Sequence, residues 1–219
     1  MMETFHWEQF DRTSQDGCLF LDEDDVCFYY MKKPIGRPSD SKAGQLIYNI
    51  KIKPNEMTEA QRRVGWKDIA IKQCAKDMAT FLKANMHLCP PRNTILVPMP
   101  PSAPRNHIEY DDRMVHVCTQ LSEMLGYQVV DCFSSNEYLG SCHEGTMPRD
   151  IDLIISNTTF HWEMIESNVQ YVFLVDDQLT KGTHFKAMKK ILTDTYDVEV
   201  FGLFWAKQDS DYLYEVVPF

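Results

Sequence analysis

The sequence predicts an α/β protein with a central, mostly parallel sheet flanked by helices, a β-rich N-terminal extension and a flexible loop late in the chain. Three observations carry that expectation. From residue 94 onward, short apolar runs alternate with segments of helical period, the pattern of successive strand–helix–strand units. One run, Tyr171, Val172, Phe173, Leu174 and Val175, is apolar throughout, as a strand covered on both faces must be. The chain of 219 residues is 44% hydrophobic and 25% charged, which suits one generous globular core.

Each element has its own pattern. Residues 17–33 place two apolar runs around Asp22, Glu23, Asp24 and Asp25, which reads as a hairpin with a solvated acidic tip. Residues 44–53 (GQLIYNIKIK) read as a further β run after a Pro- and Ser-containing turn. Trp66, Ile69, Ala70, Cys74, Met78, Phe81 and Leu82 share one face of a predicted helix, with Trp66 expected to pack. Residues 94–98 form a strand, followed by the proline-rich turn PMPPSAPR and a helix that aligns Met114, Val117, Cys118, Leu121 and Leu125. Residues 127–133 form the next strand. Residues 134–167 begin polar and irregular, a long excursion that ends in an expected strand near 152–156. The apolar 171–175 strand then runs into Asp176 and Asp177, a glycine-bearing turn, and a helix with Phe185, Met188, Ile191 and Leu192 on one face. A last strand at 198–206 closes the fold. This organisation divides the chain into a β-rich extension, residues 1–60, packed on an α/β core of residues 61–219.

Composition removes several classes of function. A formal net charge of −10 repels phosphate backbones, which argues against nonspecific nucleic-acid binding and leaves small phosphorylated ligands open. No apolar stretch is long enough for a membrane span, and the first residues lack a signal-peptide pattern, so the expected location is cytoplasmic and no membrane partner is expected. The seven cysteines are scattered without a Cys-x-x-Cys pair and read as reduced core residues. Cys142 with His143, and His87 with Cys89, lack the second pair that a zinc site needs.

Chemistry concentrates in one segment. In a parallel sheet, ligands bind beyond the carboxyl ends of strands, beside the amino ends of the following helices. Asp176 and Asp177 fall there, and Thr180, Lys181, Gly182, Thr183 and His184 form the turn into the helix, where unpaired amides and the helix dipole suit a phosphate. Two carboxylates beside a phosphate cradle must face hydroxyls, a metal ion, or both. A ligand with a phosphate at one end, a diol in the middle and a magnesium-bound pyrophosphate at the other meets these demands: phosphoribosyl pyrophosphate (PRPP).

The run VFLVDDQLTKGTHF resembles the PRPP-binding motif of the type I phosphoribosyltransferases. The order of elements over residues 27–206 resembles, more narrowly, the ComF-like branch, without its zinc-binding N-terminal module. The resemblance implies a type I phosphoribosyltransferase-like fold. It also implies that Asp176 and Asp177 contact the ribose hydroxyls and the hydration shell of Mg2+, and that Thr180, Lys181, Gly182, Thr183 and His184 hold the 5-phosphate. Met99, Pro100, Pro101 and Ser102 would form the pyrophosphate loop, and residues 141–149, with His143 and Arg149, the hood over the site. Arg149, Lys51 or Arg105 would add charge at the pyrophosphate. Where the family commonly shows Thr-Thr-Gly-Ala-Thr, this chain puts a lysine and a histidine in the loop, and of the branch's Arg-Gly-x-Asn-Gln helix motif only Arg113 stands nearby.

The implied activity is transfer of the phosphoribosyl group to an unidentified acceptor, or to water, with loss of pyrophosphate. The alternative is a non-enzymatic or conditionally active subunit that binds PRPP or a nucleotide, as a homo-oligomer or within a larger complex such as a bacterial defence system. A third reading is another type of nucleotide-binding α/β module. A receiver domain is excluded because only 43 residues (219 minus 176) follow Asp176. Gly140 and Gly145 have P-loop spacing, but Thr146 and Met147 stand where Lys and Ser/Thr are required. His184, taken alone, reads as a first-turn residue facing solvent in preference to a catalytic group.

Overall fold

The computed structural model describes residues 7–10, 18, 20–138 and 150–209. A six-stranded sheet organises them in the order β1-β2-β8-β7-β3-β4. These strands are β1 (Glu8–Gln9), β2 (Val26–Lys33), β3 (Thr94–Pro98), β4 (Gln128–Val129), β7 (Tyr171–Leu179) and β8 (Glu199–Gln208). All neighbours are parallel except β1 on β2. A separate antiparallel pair joins β5 (Phe133–Ser135) and β6 (Thr158–Phe160). The α/β class with a mostly parallel, helix-flanked sheet is thus as the sequence indicates. No helix among the described residues is long and apolar enough to cross a membrane.

Helices cover both faces. On one lie α1 (Lys42–Lys51), α3 (Trp66–Asn85) and α4 (Arg113–Leu125), with the short α2 (Glu59–Val64) before α3. Their core includes Ile47, Ile50, Met78, Phe81, Leu121, Phe173, Val175 and Trp205. On the other lie α5 (Ile151–Ser156) and α6 (Thr183–Thr195), over a second core that includes Ile154, Val172, Leu174, Phe185, Met188 and Leu192. The central strand β7 feeds both cores, which is why its run is apolar at successive positions. The six described cysteines are buried free thiols.

Several local expectations are corrected. Residues 42–51 are helical: Ser41 caps the start by accepting from the Gly44 N–H at 2.8 Å, and Ala43, Leu46, Ile47 and Ile50 repeat at helical spacing and are buried. Tyr48, which an alternating strand would have placed beside Leu46 and Ile50, is 48% exposed. Residues 151–156 are likewise helical, with Asp150 as N-cap. The single strand expected at 127–133 is instead β4 and the start of β5. Finally, β2 takes its antiparallel partner from Glu8 and Gln9, and Asp25 is no solvated tip. Its carboxylate is fully buried and ion-paired to Lys186 at 2.8 Å and Lys189 at 2.7 Å, which fastens the 20–25 segment to α6. On α3, Ala70, Cys74, Met78, Phe81 and Leu82 are buried as their spacing indicates, but Trp66 and Ile69 face solvent at 45% and 51% exposure.

Candidate active site at the end of the central strand

A notch forms because neighbouring strands stop at different levels. β3 pairs with β7 only as far as Pro98 opposite Val175, and the Met99 N–H closes the ladder on the Val175 carbonyl at 2.9 Å. β7 continues along β8 to Leu179. Asp176 and Asp177 therefore lie inside a strand that is covered by β8 on one edge and opens beyond β3 on the other. Ligand crevices in open parallel sheets have this origin, a strand that outruns its neighbour where the chain turns away.

The side-chain alternation slips at this level. Trp205 and Ala206 on β8 both belong to the core under α1, α3 and α4, and Tyr30 and Met31 on β2 both pack against it. Asp177 and Gln178 follow suit, since Lys51 of α1 reaches both, Asp177 Oδ1 at 3.2 Å and Gln178 Oε1 at 3.0 Å. Leu179 then returns to the core beneath α6. The slip gathers two consecutive polar side chains on one face.

Asp177 is 1% exposed and held from two sides. Arg113, the first residue of α4, donates through Nε to its Oδ2 at 2.7 Å, opposite the Lys51 contact. Burial alone pushes this carboxyl up, but the charges of Arg113 and Lys51 outweigh it and hold Asp177 below the usual carboxylate range. Arg113 also donates to Asp111 Oδ2 at 2.9 Å, and buried Lys67 donates to the same oxygen at 2.8 Å and to the Ile52 carbonyl at 2.7 Å. Charges of alternating sign thus run from β7 through α4 and the 111–112 turn to α3.

Asp176 is different. It is half-buried and its Oδ1 accepts the Asp177 N–H at 2.8 Å. Burial, then the adjacent Asp177 charge, push its pKa up to about 7, against the pull of Arg113 and Lys51. Two neighbouring aspartates thus have opposite states near neutral pH, one locked as an anion and one poised to titrate.

The 180–184 turn is braced from behind. The Thr180 carbonyl accepts from Cys18 Sγ at 3.0 Å, and the Lys181 carbonyl accepts from the Phe20 N–H at 3.2 Å. Gly182 has φ +83°, and a Cβ there would lie 2.6 Å from Leu21 side-chain atoms, so both backbone conformation and space require glycine. As N-cap of α6 it supplies no side-chain acceptor, leaving the first-turn amides for an anion. Thr180 and Lys181 are exposed, Thr183 is buried and His184 half-buried.

His184 shares a cavity with Pro100 and Ser102 of the proline turn and with Ser135, Asn157 and Thr158. The structure so joins two of the sequence-derived groups, the 180–184 turn and the 99–102 turn. Met99 is buried, and the Pro101 carbonyl accepts from Ser135 Oγ at 2.6 Å. Arg105 is paired with Asp131. His143 and Arg149 lie outside the described residues. Sequence reasoning missed Asp111, Lys67, Gln178 and Lys33, because partners such as Lys67 and Asp111 are 44 residues apart and no local spacing announces them.

Among the described residues, no three His, Cys, Asp or Glu side chains gather as a metal site. Magnesium is commonly held by one or two carboxylates plus substrate phosphates and waters. Asp176 suits that limited role, since only one of its oxygens accepts a hydrogen bond from the described protein. No model of a known protein family matches the chain, and no curated protein is significantly similar to it.

Proposed function

We propose that the protein binds PRPP with Mg2+ and transfers, or hydrolyses, its phosphoribosyl group with loss of pyrophosphate, as a type I phosphoribosyltransferase-like enzyme. The observation that carries the reading is the acidic pair in the notch beyond β3, directly followed by the braced, glycine-dependent turn at the amino end of α6. In this reading the amides of the 182–184 turn and the Thr183 hydroxyl hold the 5-phosphate, and ionised Asp176 accepts from a ribose hydroxyl. Asp177, neutralised by Arg113 and Lys51, fixes the strand end against which the sugar lies. Bound magnesium, met by Asp176 through water, would neutralise charge on the departing pyrophosphate. The bond between the anomeric carbon and pyrophosphate oxygen breaks with the electron pair leaving on oxygen, and the acceptor then bonds to that carbon and gives up its proton.

The test is titration calorimetry with PRPP and Mg2+, paired with a pyrophosphate-release assay. Binding that needs magnesium and disappears in Asp176→Asn/Asp177→Asn is the expected result. Unchanged binding and turnover in that double variant would refute the assignment. The locked state of Asp177, together with Lys181 and His184 in the loop, favours a second reading in which the chain binds the donor without turning it over. Binding with no repeated pyrophosphate release, alone or with partners, would select a sensor or effector subunit.

A further inference from the structure

The proline turn is a poor pyrophosphate cradle. Of residues 98–102, Pro98, Pro100 and Pro101 have no N–H, and the Met99 N–H is already bonded to Val175. Only Ser102 can offer a backbone donor there, and Arg105 is engaged by Asp131 at 2.5 Å. A pyrophosphate carries several negative charges and must find its donors elsewhere.

The opposite flank of Asp177 has them. Lys33 ends β2 in register with Gln208 of β8, and Gln208 Oε1 accepts from Gln178 Nε2 at 2.6 Å. Gln178 in turn accepts from Lys51 at 3.0 Å. Because the alternation slips across all three strands, this row lies on the face that α1 covers. Lys33 is half-buried there, close enough to Lys51 for the two charges to repel, and burial and that repulsion both lower its proton affinity. Its neighbours in the fold each have a carboxylate, Lys32 with Glu8, Lys53 with Glu109, Lys67 with Asp111. Among the described residues Lys33 has none. Lys51 shares Asp177 with Arg113, so a half-buried Lys33 with no carboxylate of its own beside a second lysine is a costly arrangement that a bound anion relieves.

We propose that Lys33 and Lys51 form an anion subsite for a diphosphate-class group, on the β2 side of Asp177 and across the strand end from the α6 turn. It rests on the donor-binding reading, and it assigns the pyrophosphate end of the ligand to this lysine pair in place of the proline turn. The two phosphate groups of one ligand are then bound on opposite faces of the sheet, with the sugar over Asp176 between them.

Calorimetry with Mg2+ on the full chain tests it, using PRPP, inorganic pyrophosphate and ribose 5-phosphate as separate probes on wild type, Lys33→Met and Lys33→Arg. Loss of a charge-assisted contact predicts that Lys33→Met weakens PRPP and pyrophosphate about ten- to a hundredfold. Ribose 5-phosphate should bind as in wild type, and Lys33→Arg should restore most of the affinity. Unaltered pyrophosphate binding in Lys33→Met overturns the subsite even if PRPP binds. If wild type binds neither PRPP nor ribose 5-phosphate but binds pyrophosphate through Lys33, the donor reading falls and the subsite stands. If no probe binds, both fall.

Discussion

Asp176 makes the sharpest pH prediction. With its pKa pushed to about 7 by burial and by Asp177, about one tenth of the protein carries the ionised carboxylate at pH 6, half at pH 7 and about nine tenths at pH 8. If the ribose contact needs the anion, affinity for PRPP with Mg2+ rises about tenfold from pH 6 to pH 8, a gain of about 1.4 kcal/mol, and then levels off. The phosphates of the ligand also titrate, so the profile is read against Asp176→Asn, in which that contribution is the same and the Asp176 contribution is gone. Calorimetry at pH 6, 7 and 8 on both proteins gives the difference. The variant should bind more weakly than wild type at pH 8, with the gap narrowing as pH falls. Parallel profiles, or an Asp176 carboxyl signal titrating near pH 4 in NMR, would refute the reasoning.

The same shift has a stability consequence of opposite sense. A carboxyl whose folded pKa is raised binds protons more tightly in the native state than in the unfolded chain, so its contribution is fully present below pH 4 and is lost as pH rises towards 7. Asn mimics the protonated acid. Asp176→Asn should therefore melt at a higher temperature than wild type at pH 8, with the difference shrinking as pH falls and vanishing below about pH 4, while losing the ligand. Stability sacrificed at one residue and regained by its neutral analogue is expected of a group retained for binding.

Two further variants probe the frame of the site. Gly182→Ala forces a left-handed alanine at a cost of about 1–2 kcal/mol and drives its methyl group into Leu21, so thermal melting should fall by about 5 °C and ribose 5-phosphate binding should weaken; an unchanged melt would mean that the turn relaxes freely. Asp25→Asn leaves Lys186 and Lys189 without their buried carboxylate and should lose about 3 kcal/mol in urea unfolding, whereas a surface ion pair would lose under 1.

How much of this was legible in the sequence depends on the range of the interaction. β7 was readable because a strand buried on both faces needs apolar residues in succession, and the acidic pair interrupts that run at one point. The α6 face was readable from Phe185, Met188 and Leu192, all buried. α1 was not, because Leu46 and Ile50 satisfy a period of two as well as a helical one, and the deciding feature is a single serine cap five residues upstream of Leu46. The acidic run at 22–25 read as a tip because nothing local shows that Lys186 and Lys189 come to meet it. Arg113 was seen as a neighbour of the site, but its hold on Asp177 spans 64 residues. Lys33 is indistinguishable in sequence from Lys32; only the register with Gln208 and the slipped alternation turn one inward to Lys51 and leave the other beside Glu8.

Charge ties these observations together. The chain as a whole is acidic at −10, yet Lys33, Lys51, Lys67 and Arg113 meet at the carboxyl end of the sheet with Asp111, Asp176 and Asp177. Asp111 and Asp177 hold Arg113 and Lys67, and Lys51 shares Asp177 with Arg113, which leaves Lys33 without a carboxylate among the described residues and Asp176 half protonated at neutral pH. A fully matched cluster would serve as a structural clamp and nothing more. This one is matched in depth and short of an anion at the rim, where Lys33 is part-exposed beside the Asp177-bound Lys51, and the imbalance is of the sign that an anionic ligand cancels. An anion arriving there would also restore the proton affinity that Lys33 loses to burial and to Lys51, while a cation arriving with it would favour ionised Asp176. Each partner of a magnesium–diphosphate pair thus corrects one of the two energetic defects of the fold, which is why the deep ion pairs belong to folding and the rim to binding.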